Sequence, residues 1–340
     1  LEPQTQKRGR PAVGLQFRYK DFEVLAIKLS RRYIRWGVFD FNGRSKSLIE
    51  IPLNEVDTPE DLFHQFDEGI NSHLEKFPNI CSICFAVPGP FDIQNKQIAV
   101  ITEMDKLGGL DLQPILNKDY GVPVFFAHDA NAGAMSEWLT NDPKGRGEVL
   151  AYYLIGEGVG VGVVQNGKII EGQTGMAGEL GHVSIDPKGG RCRCGNRGCL
   201  EMYCSTIAIE RRAHIERRRF PNSKLNAFEK VRLQDISHAA MDGDELANQL
   251  LLDAVEVVSY GAVNIINSYD PSTIIIGDQF SKVIDPYMDI LKKTVSERTS
   301  YKTKPVNIEI EDQSYDHILH GAASVAIQES LNNPELLIVS

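Results

Sequence analysis

A strand-rich segment occurs twice along the chain, and this repeat restricts the possible folds more than any other feature. Residues 23–53 read as three strands with Asn42-Gly43 at the second turn, and residues 148–172 repeat the plan with Asn166-Gly167. Asn-Gly between apolar strands is the strongest short-range signal of a β-hairpin. Helices and strands alternate after each triplet, so the sequence predicts a duplicated α/β fold. We expect two lobes, a hinge near residues 130–150 and a ligand cleft between the lobes.

The composition limits the class of protein. The 340 residues carry a formal net charge of −10, which argues against nucleic-acid binding by this stretch as a whole. Its apolar runs are shorter than the roughly 20 residues of a transmembrane helix, and its first residues lack the apolar core of a signal peptide. We therefore expect a cytoplasmic protein without a membrane segment, in a reducing compartment where clustered cysteines more often bind metal than form disulfides.

A long helical pattern at residues 244–268 is apolar on nearly all sides. A helix of this kind is either central in the fold or located at a subunit interface. It is the candidate contact element of a homodimer or homotetramer.

Three of the six cysteines fall within eight residues, in the segment GELGHVSIDPKGGRCRCGNRGCLE that begins at Gly178. Metal binding, disulfide formation and catalysis are the possible explanations. Three thiolates and an imidazole match the tetrahedral preference of zinc, and four protein ligands with no open position indicate a structural site. The alternative is three reduced cysteines in a loop, but free cysteines usually lie in cores rather than among arginines. The spacing predicts zinc bound by His182, Cys192, Cys194 and Cys199.

The same segment resembles the signature of the ROK family, whose members include transcriptional repressors and sugar kinases. Further motifs of that family occur in order over essentially the whole chain: PGPFD at 88–92, HDANAGAMSE at 128–137, GEGVGVGVV at 156–164 and IIIGD at 274–278. The resemblance implies an actin/hexokinase-like (RNase H-like) fold, with the zinc loop in the second lobe. It also implies a hexose site in the cleft.

The resemblance assigns the cleft residues position by position. Glu179, His182 and Glu201 match residues that contact sugar hydroxyls, and carboxylates accept hydrogen bonds from vicinal hydroxyls. Asp129 matches the base that deprotonates the sugar in the kinases, although an aspartate there can also cap the following helix. The expected effector-binding residues are Gly89, His128, Asp129, Glu179, His182 and Glu201.

The phosphate-donor motifs of the kinases are altered in this chain. The first motif normally reads Asp-x-Gly-Gly-Thr, but here Lys28 replaces the acidic residue and Ser30 lies in a turn without glycine. Glu157 replaces a small hydroxyl residue in the second motif, and Asp278 replaces a glycine in the adenosine motif. A cation cannot hold Mg²⁺, and a close approach to phosphate favours glycine. We therefore expect a protein that is not an enzyme.

The start of the chain favours a regulator. KRGRPAVGL at 7–15 resembles the linker that follows the winged helix-turn-helix domain in ROK repressors of the NagC and Mlc type. We expect residues 1–20 to be this linker, with operator DNA bound by an N-terminal domain that the chain does not include. The alternative for the basic residues is a disordered tail.

The expected function is the effector-sensing and oligomerisation part of a ROK-type transcriptional repressor that controls carbohydrate-use genes. Its effector would be a sugar, a sugar phosphate or a protein of the phosphotransferase system. The alternative is an ATP-dependent hexose or N-acetylhexosamine kinase with Asp129 as catalytic base. The first lobe is expected at 21–135, completed by a C-terminal helix at 315–332. The second lobe, at 136–314, would hold the zinc loop and the oligomerisation helix.

Overall fold

The computed structural model describes residues 19–53, 56, 58–89, 91–92, 95, 97–98, 110–140, 149–299 and 305–337. Most of the predicted linker, residues 1–18, and residues 141–148 of the predicted hinge lie outside the described residues.

The first half of the chain forms a five-stranded sheet with three helices and a small three-stranded sheet. The strand order of the large sheet is β3-β2-β1-β4-β8, in which the first three strands are antiparallel and β4 and β8 run parallel to β1. The elements are β1 (Glu23–Leu29), β2 (Tyr33–Asp40), β3 (Ser45–Pro52), α1 (Pro59–Lys76), β4 (Ile80–Val87), β5 (Phe91–Asp92), β6 (Gln97–Ile98), β7 (Leu110–Asp111), α2 (Gln113–Leu116), β8 (Val124–His128) and α3 (Asp129–Thr140).

The second half repeats this plan with the strand order β11-β10-β9-β12-β13. Again three antiparallel strands are extended by two parallel ones. The elements are β9 (Val149–Ile155), β10 (Val159–Gln165), β11 (Lys168–Ile169), α4 (Glu201–Cys204), α5 (Thr206–Glu216), α6 (Leu233–Met241), α7 (Glu245–Tyr269), β12 (Thr273–Gly277), α8 (Met288–Arg298), β13 (Asn307–Ile310) and α9 (His317–Asn332). The duplicated α/β architecture predicted from the repeat is confirmed.

Both predicted Asn-Gly hairpin turns are present. Gly43 has φ 74° in the first turn, where the Asp40 carboxylate accepts hydrogen bonds from the amides of Asn42 and Arg44. Asn166 and Gly167 have φ 51° and 77° in the second turn. In the second turn, positive φ at both residues matches the right-handed twist of the flanking strands. In the first turn only Gly43 adopts this conformation.

Two helices lie between the sheets and join the halves of the molecule. α3 packs against α9 and against β9 and β10, whereas α9 also packs against β1 and β4 of the first sheet. A β-carbon at Gly321 in α9 would lie 1.8 Å from the carbonyl oxygen of Ala132 in α3. Glycine at this position therefore allows the two helix backbones to come into contact.

The long apolar helix α7 packs against α4, α5, α6 and α8 within its own half of the chain. Among the described residues it is the one helix long and apolar enough to cross a membrane, and half of that stretch is buried inside the protein. Its exposed side includes Leu252, which is 41% accessible. The helix is therefore part of the second core, and its role as an oligomer contact stays a prediction.

Candidate functional site

A cavity between the lobes brings together all six residues that the sequence analysis placed in the effector site. Its empty volume, including the open mouth, is about 320 Å³. The predicted residues in its lining are Gly89, His128, Asp129, Glu179, His182 and Glu201.

The ends of two parallel strands form the wall on the side of the first lobe. Gly89 lies two residues after β4, and His128 is the last residue of β8. A β-carbon at position 89 would lie 2.3 Å from Nε2 of His128 and 2.4 Å from Oε1 of Glu179. Only glycine therefore fits here without displacing both side chains.

Asp129 is the first residue of α3, and it also lines the cavity. Its Oδ1 accepts a 2.7 Å hydrogen bond from the amide of Ala130. This local contact agrees with the alternative interpretation of Asp129 as a residue that stabilises the helix start. The two roles are compatible, because the side chain contacts the helix backbone at the rim of the cavity.

Buried carboxylates and imidazoles alternate around the cavity. Nε2 of His128 lies 3.4 Å from Oδ1 of Asp129 and 3.5 Å from Oε1 of Glu179. Burial raises the pKa of Asp129 and of Glu179, although the neighbouring His128 opposes both shifts. Carboxylates that have lost water need hydrogen-bond donors. A ligand with several hydroxyl groups would supply such donors.

The predicted metal ligands lie close together in the loop before α4. Nδ1 of His182 and the three sulfur atoms all lie within 4.8 Å of one another. Cys194 Sγ is 3.7 Å from Cys199 Sγ, and Cys192 Sγ is 3.8 Å from His182 Nδ1. Zinc–sulfur bonds of about 2.3 Å in a tetrahedron place sulfur atoms about 3.8 Å apart. These four residues can therefore hold a metal ion.

Tight turns in the loop bring the ligands together. The Cys192 amide donates to the carbonyl oxygen of Asn196, and the Gly195 amide donates to that of Cys192. Gly195 has φ 97° and Gly198 has φ 60°. A β-carbon at Gly198 would lie 1.8 Å from the carbonyl oxygen of Asp186. Backbone conformation therefore favours glycine at both positions, and lack of space also requires it at position 198.

His182 belongs to both the metal cluster and the cavity. Its Nδ1 faces Cys192, whereas its Nε2 lies 3.9 Å from Oε2 of Glu179. A metal bound at Nδ1 requires the neutral ring to carry its proton on Nε2. The metal would thereby fix a hydrogen-bond donor at the cavity wall.

A buried ion-pair network occupies the region of the first donor motif. Nζ of Lys28, in β1, lies 3.3 Å from Asp316 and 3.5 Å from Asp278. Although burial opposes the charged form of Lys28, the two aspartates raise its pKa above the ordinary value. Burial also raises the pKa of Asp316, but Lys28 and Arg35 outweigh this effect and lower it to about 2. The Lys28 ammonium group is therefore paired with carboxylates of the protein itself.

The glycine-rich turn between β9 and β10 has partners within the chain for two of its amides. The Gly156 amide donates to the carbonyl oxygen of Gly158 at 2.9 Å, and the Val159 amide donates to Oε2 of Glu201 at 3.0 Å. In phosphate-binding turns such amides point at the anion. Here these two are engaged in the protein itself.

Glu157, at the tip of the same turn, is buried against the β1–β2 turn of the other lobe. Its Oε2 accepts a 2.9 Å hydrogen bond from the Arg31 amide, and its Oε1 lies 3.0 Å from Nε of Arg32. Arg32 also pairs with Glu210 of α5 at 2.7 Å. Residues of the altered phosphate motifs therefore bind each other across the cleft.

Asp278 adopts φ 64° at the position where the kinases have glycine. Aspartate is one of the few other residues that tolerate this conformation. A β-carbon at Gly156 would lie 1.8 Å from Asp278 Oδ2, so this carboxylate packs directly on the glycine-rich turn. Nearby, Glu311 accepts hydrogen bonds from the Tyr152 hydroxyl, the Asp278 amide and the Ser281 hydroxyl.

The Glu311 carboxyl makes the stability of the protein depend on pH. Burial and the charge of Asp278 raise its pKa to about 7, despite the Tyr152 and Ser281 hydrogen bonds. Its folded-state pKa is higher than that of the unfolded chain, so its stabilising effect is full below about pH 4.5 and is lost as the pH rises through about 7. As the pH rises from 4.5 to 8, the free energy of unfolding of Glu311→Gln should increase by up to about 3 kcal/mol relative to that of wild type.

Urea unfolding of both proteins at several pH values measures this difference. Glu309→Gln in β13, two residues before Glu311, controls for the loss of one carboxyl group. Parallel pH curves for Glu311→Gln and wild type would contradict the assignment.

Arg31 is a cavity residue that the sequence analysis did not place in the effector site. Its guanidinium nitrogens lie 3.0 and 3.1 Å from where a β-carbon of Gly158 would be, and Oε2 of Glu201 lies 3.1 Å from the same point. Pro88, Leu154 and the Gly158–Gly160 backbone also line the cavity. Arg31 belongs to the altered first motif, and no sequence signal shows that its side chain reaches across the cleft.

Comparison with known proteins identifies the family to which the sequence is similar. A model of the ROK family matches residues 24–329. The chain is 27% identical to the DNA-binding transcriptional repressor Mlc of Escherichia coli K12, over 97% of this chain and 82% of that protein. It is 28% identical to the xylose repressor of Bacillus subtilis 168, over 85% of this chain and 73% of that protein.

Solved structures of the same family have the same fold. A ROK family transcriptional regulator described as a homolog of E. coli Mlc is 27% identical, with a TM-score of 0.78 over 97% of this chain and 84% of that one. A ROK hexokinase from Thermus thermophilus is 26% identical, with a TM-score of 0.72 over 92% of this chain and all of that one. The predicted actin/hexokinase-like fold is confirmed, and repressors and kinases share it.

Proposed function

The chain belongs to the ROK family, and from this premise we propose that it is the effector-sensing and oligomerisation part of a sugar-responsive transcriptional repressor. The curated relatives compared above are named as repressors. The observation that carries the proposal is the buried Lys28 with its two aspartates, because it fills the region that a kinase needs for its phosphoryl donor.

The effector site is the cavity between the lobes. Carboxylates of Asp129, Glu179 and Glu201 accept hydrogen bonds from the ligand's hydroxyl groups, and the imidazoles of His128 and His182 complete the polar wall. Imidazole nitrogens lie 3.4–3.9 Å from carboxylate oxygens in three pairs of these residues. This spacing suits a hydrogen-bond network shared with a small polyhydroxy ligand.

The metal at His182, Cys192, Cys194 and Cys199 is a structural zinc ion. All four positions of a zinc tetrahedron are taken by protein ligands, which leaves none for chemistry. The zinc ion holds the loop that carries Glu179 and precedes Glu201, and it orients His182 toward the cavity. Loop order and effector binding are therefore linked.

Effector binding acts through the contacts that join the lobes. The Arg32 pairs with Glu157 and Glu210 tie the β1–β2 turn to the second lobe, directly beside the cavity. A ligand that fits one lobe arrangement better than another shifts their populations. In a cytoplasmic homodimer or homotetramer, this shift would change the spacing of DNA-binding domains on operator DNA. A protein of the phosphotransferase system is the alternative effector.

The kinase alternative is tested by calorimetric titration of the zinc-loaded chain with MgATP and with sugars. We expect no MgATP binding at millimolar concentration, because carboxylates and internal hydrogen bonds occupy the donor region. We also expect binding of at least one sugar, weakened at least about tenfold by Asp129→Asn through loss of a charged acceptor.

Asp235→Asn, an exposed helix-start aspartate in α6, is the control for that substitution. MgATP binding together with phosphate transfer that Asp129→Asn abolishes would overturn the repressor proposal and identify a sugar kinase.

A further inference from the structure

The chain passes between the two lobes twice, and a buried pair of ionisable side chains joins the two crossings. α3 is the last helix of the first half and precedes β9, whereas α9 follows β13 and packs back onto β1 and β4 of the first sheet. Glu137 lies in the last turn of α3, and His317 is the first residue of α9. Oε1 of Glu137 lies 3.1 Å from Nδ1 of His317.

The contacts of His317 are favourable only when both ring nitrogens carry a proton. Nε2 lies 2.9 Å from the carbonyl oxygen of Asp312, which can only accept a hydrogen bond. Nε2 therefore carries a proton, and a neutral ring would turn the lone pair of Nδ1 toward the Glu137 carboxylate. A second proton, on Nδ1, converts this repulsion into an ion pair. The side chains of His317 and Glu137 are 0% and 2% exposed, so water does not screen the contact.

We propose that Glu137 and His317 form a proton-dependent clamp at the hinge between the lobes, which holds the lobe arrangement that binds the effector. With its proton, the pair is an imidazolium beside a carboxylate and joins α3 to α9. When the proton leaves Nδ1 for the solvent, a buried carboxylate remains beside a neutral ring, which destabilises the contact. This inference rests on the proposed sensor function and adds regulation of that site by pH.

The other ionisable groups around His317 do not replace its positive charge. Asp312 precedes α9 and Asp316 caps its first turn, and both are acidic. The rings of Tyr315 and His317 have centroids 4.1 Å apart, and burial raises the pKa of the Tyr315 hydroxyl, so this group stays neutral. His320 lies one turn further along α9, where burial lowers the pKa of its ring despite the nearby Asp316. The positive charge at this junction therefore depends on His317.

α3 connects the clamp to the cavity. Asp129, at the start of this helix, lines the cavity, and Glu137 lies eight residues later, roughly 12 Å along the helix axis. Every residue from Ala130 to Glu137 is buried, so a change in the contact with α9 is transmitted along a tightly packed helix. Opening of the clamp therefore changes the position of Asp129 and the populations of the lobe arrangements.

The test is the pH dependence of sugar affinity, measured by calorimetry on the zinc-loaded chain between about pH 5.5 and 8, where histidine ordinarily titrates. Glucose and N-acetylglucosamine are the probes. The ratio of wild-type affinity to that of His317→Gln or Glu137→Gln should fall at least about threefold as the pH rises. Neither variant can form the ion pair, and the ionisable groups of the cavity are common to all three proteins, so the ratio isolates the clamp.

His64→Gln is the matched control. It removes an exposed histidine of α1 that lies 3.4 Å from Glu68, and its affinity should follow the wild-type pH profile. A ratio that does not change with pH for either hinge variant would overturn the clamp and leave the sensor function intact. Glu137→Gln keeps the size of the side chain, so it decides the question if His317→Gln does not fold.

Hydrogen exchange of the ligand-free protein decides the case in which neither sugar binds, a result that would contradict the sugar-sensing part of the proposed function. Protection factors of the α3 amides are corrected for the intrinsic pH dependence of exchange. They should fall at least about threefold with rising pH in wild type, but not in Glu137→Gln. Equal pH dependence in the two proteins would overturn the clamp as well.

Discussion

Replacement of Lys28 by methionine is expected to destabilise the protein by about 3–5 kcal/mol. The ammonium group is buried and lies within 3.5 Å of both Asp278 and Asp316. Methionine keeps the length of the side chain but removes the positive charge. The Asp278 carboxylate then loses its contact with Lys28. Asp316 also loses Lys28 but keeps its ion pair with Arg35. Removal of one member of a buried ion-pair network costs more than the pair itself contributes, because an uncompensated charge remains.

Urea unfolding at pH 7 measures this effect, and two further variants make it specific. Lys224→Met removes an exposed lysine that pairs with Asp242, and it should cost less than about 1 kcal/mol. The double variant Lys28→Met/Asp278→Asn should regain part of the lost free energy of unfolding, because it also removes the unpaired Asp278 charge. If Lys28→Met lowers the free energy of unfolding no more than Lys224→Met does, the ion pairs of Lys28 do not hold the lobes together.

Replacement of Cys199 by serine is expected to abolish zinc binding and to lower the free energy of unfolding by at least about 3 kcal/mol. Cys199 is fully buried, and its sulfur lies 3.7 Å from that of Cys194. Much of the loop between Glu179 and Glu201 is exposed, so a bound metal would supply much of its order. Sugar affinity should fall with the zinc content, since His182 belongs to both sites.

Metal analysis and chemical unfolding of the purified variant measure both effects. Cys204→Ala removes a buried thiol only five residues away that is outside the ligand cluster. That variant should keep one zinc ion per chain. Wild-type protein that contains no zinc, and whose stability does not change with a strong chelator, would contradict the assignment.

Local features of the sequence were sufficient for the architecture and for the metal cluster. Asn42-Gly43 and Asn166-Gly167 mark turns with positive φ at Gly43, Asn166 and Gly167, a conformation that few other residues adopt, so the two hairpins could be located directly. The four metal ligands fall within 18 residues, and a loop that short with so many glycines has few other ways to place its cysteines. The six cleft residues came from the resemblance to a family, and the structure places them around one cavity.

Other interpretations needed the packing of distant segments. The helix α7 was compatible with a central or an interfacial position, because an apolar surface does not specify which partner covers it. The structure shows that four helices of the same lobe cover one side of it, and an oligomer contact on its exposed side stays a prediction. Likewise, the altered donor motif predicted a lost phosphate site, but not that Arg31 would reach across the cleft to line the cavity.

The sequence by itself determined the duplicated α/β fold, the hairpin turns, the composition of the metal cluster and the identity of the residues in the cleft. The fold, the turns and the metal cluster depend on backbone conformation and on spacing over a few residues, which each segment specifies locally, whereas the cleft residues were identified through the family resemblance. Only the tertiary structure decided that Lys28 meets Asp278 and Asp316, at separations of 250 and 288 residues, and that Glu201 binds the amide of Val159. The strength of a charge–charge contact depends on distance and dehydration, and both arise only when remote parts of the chain pack together.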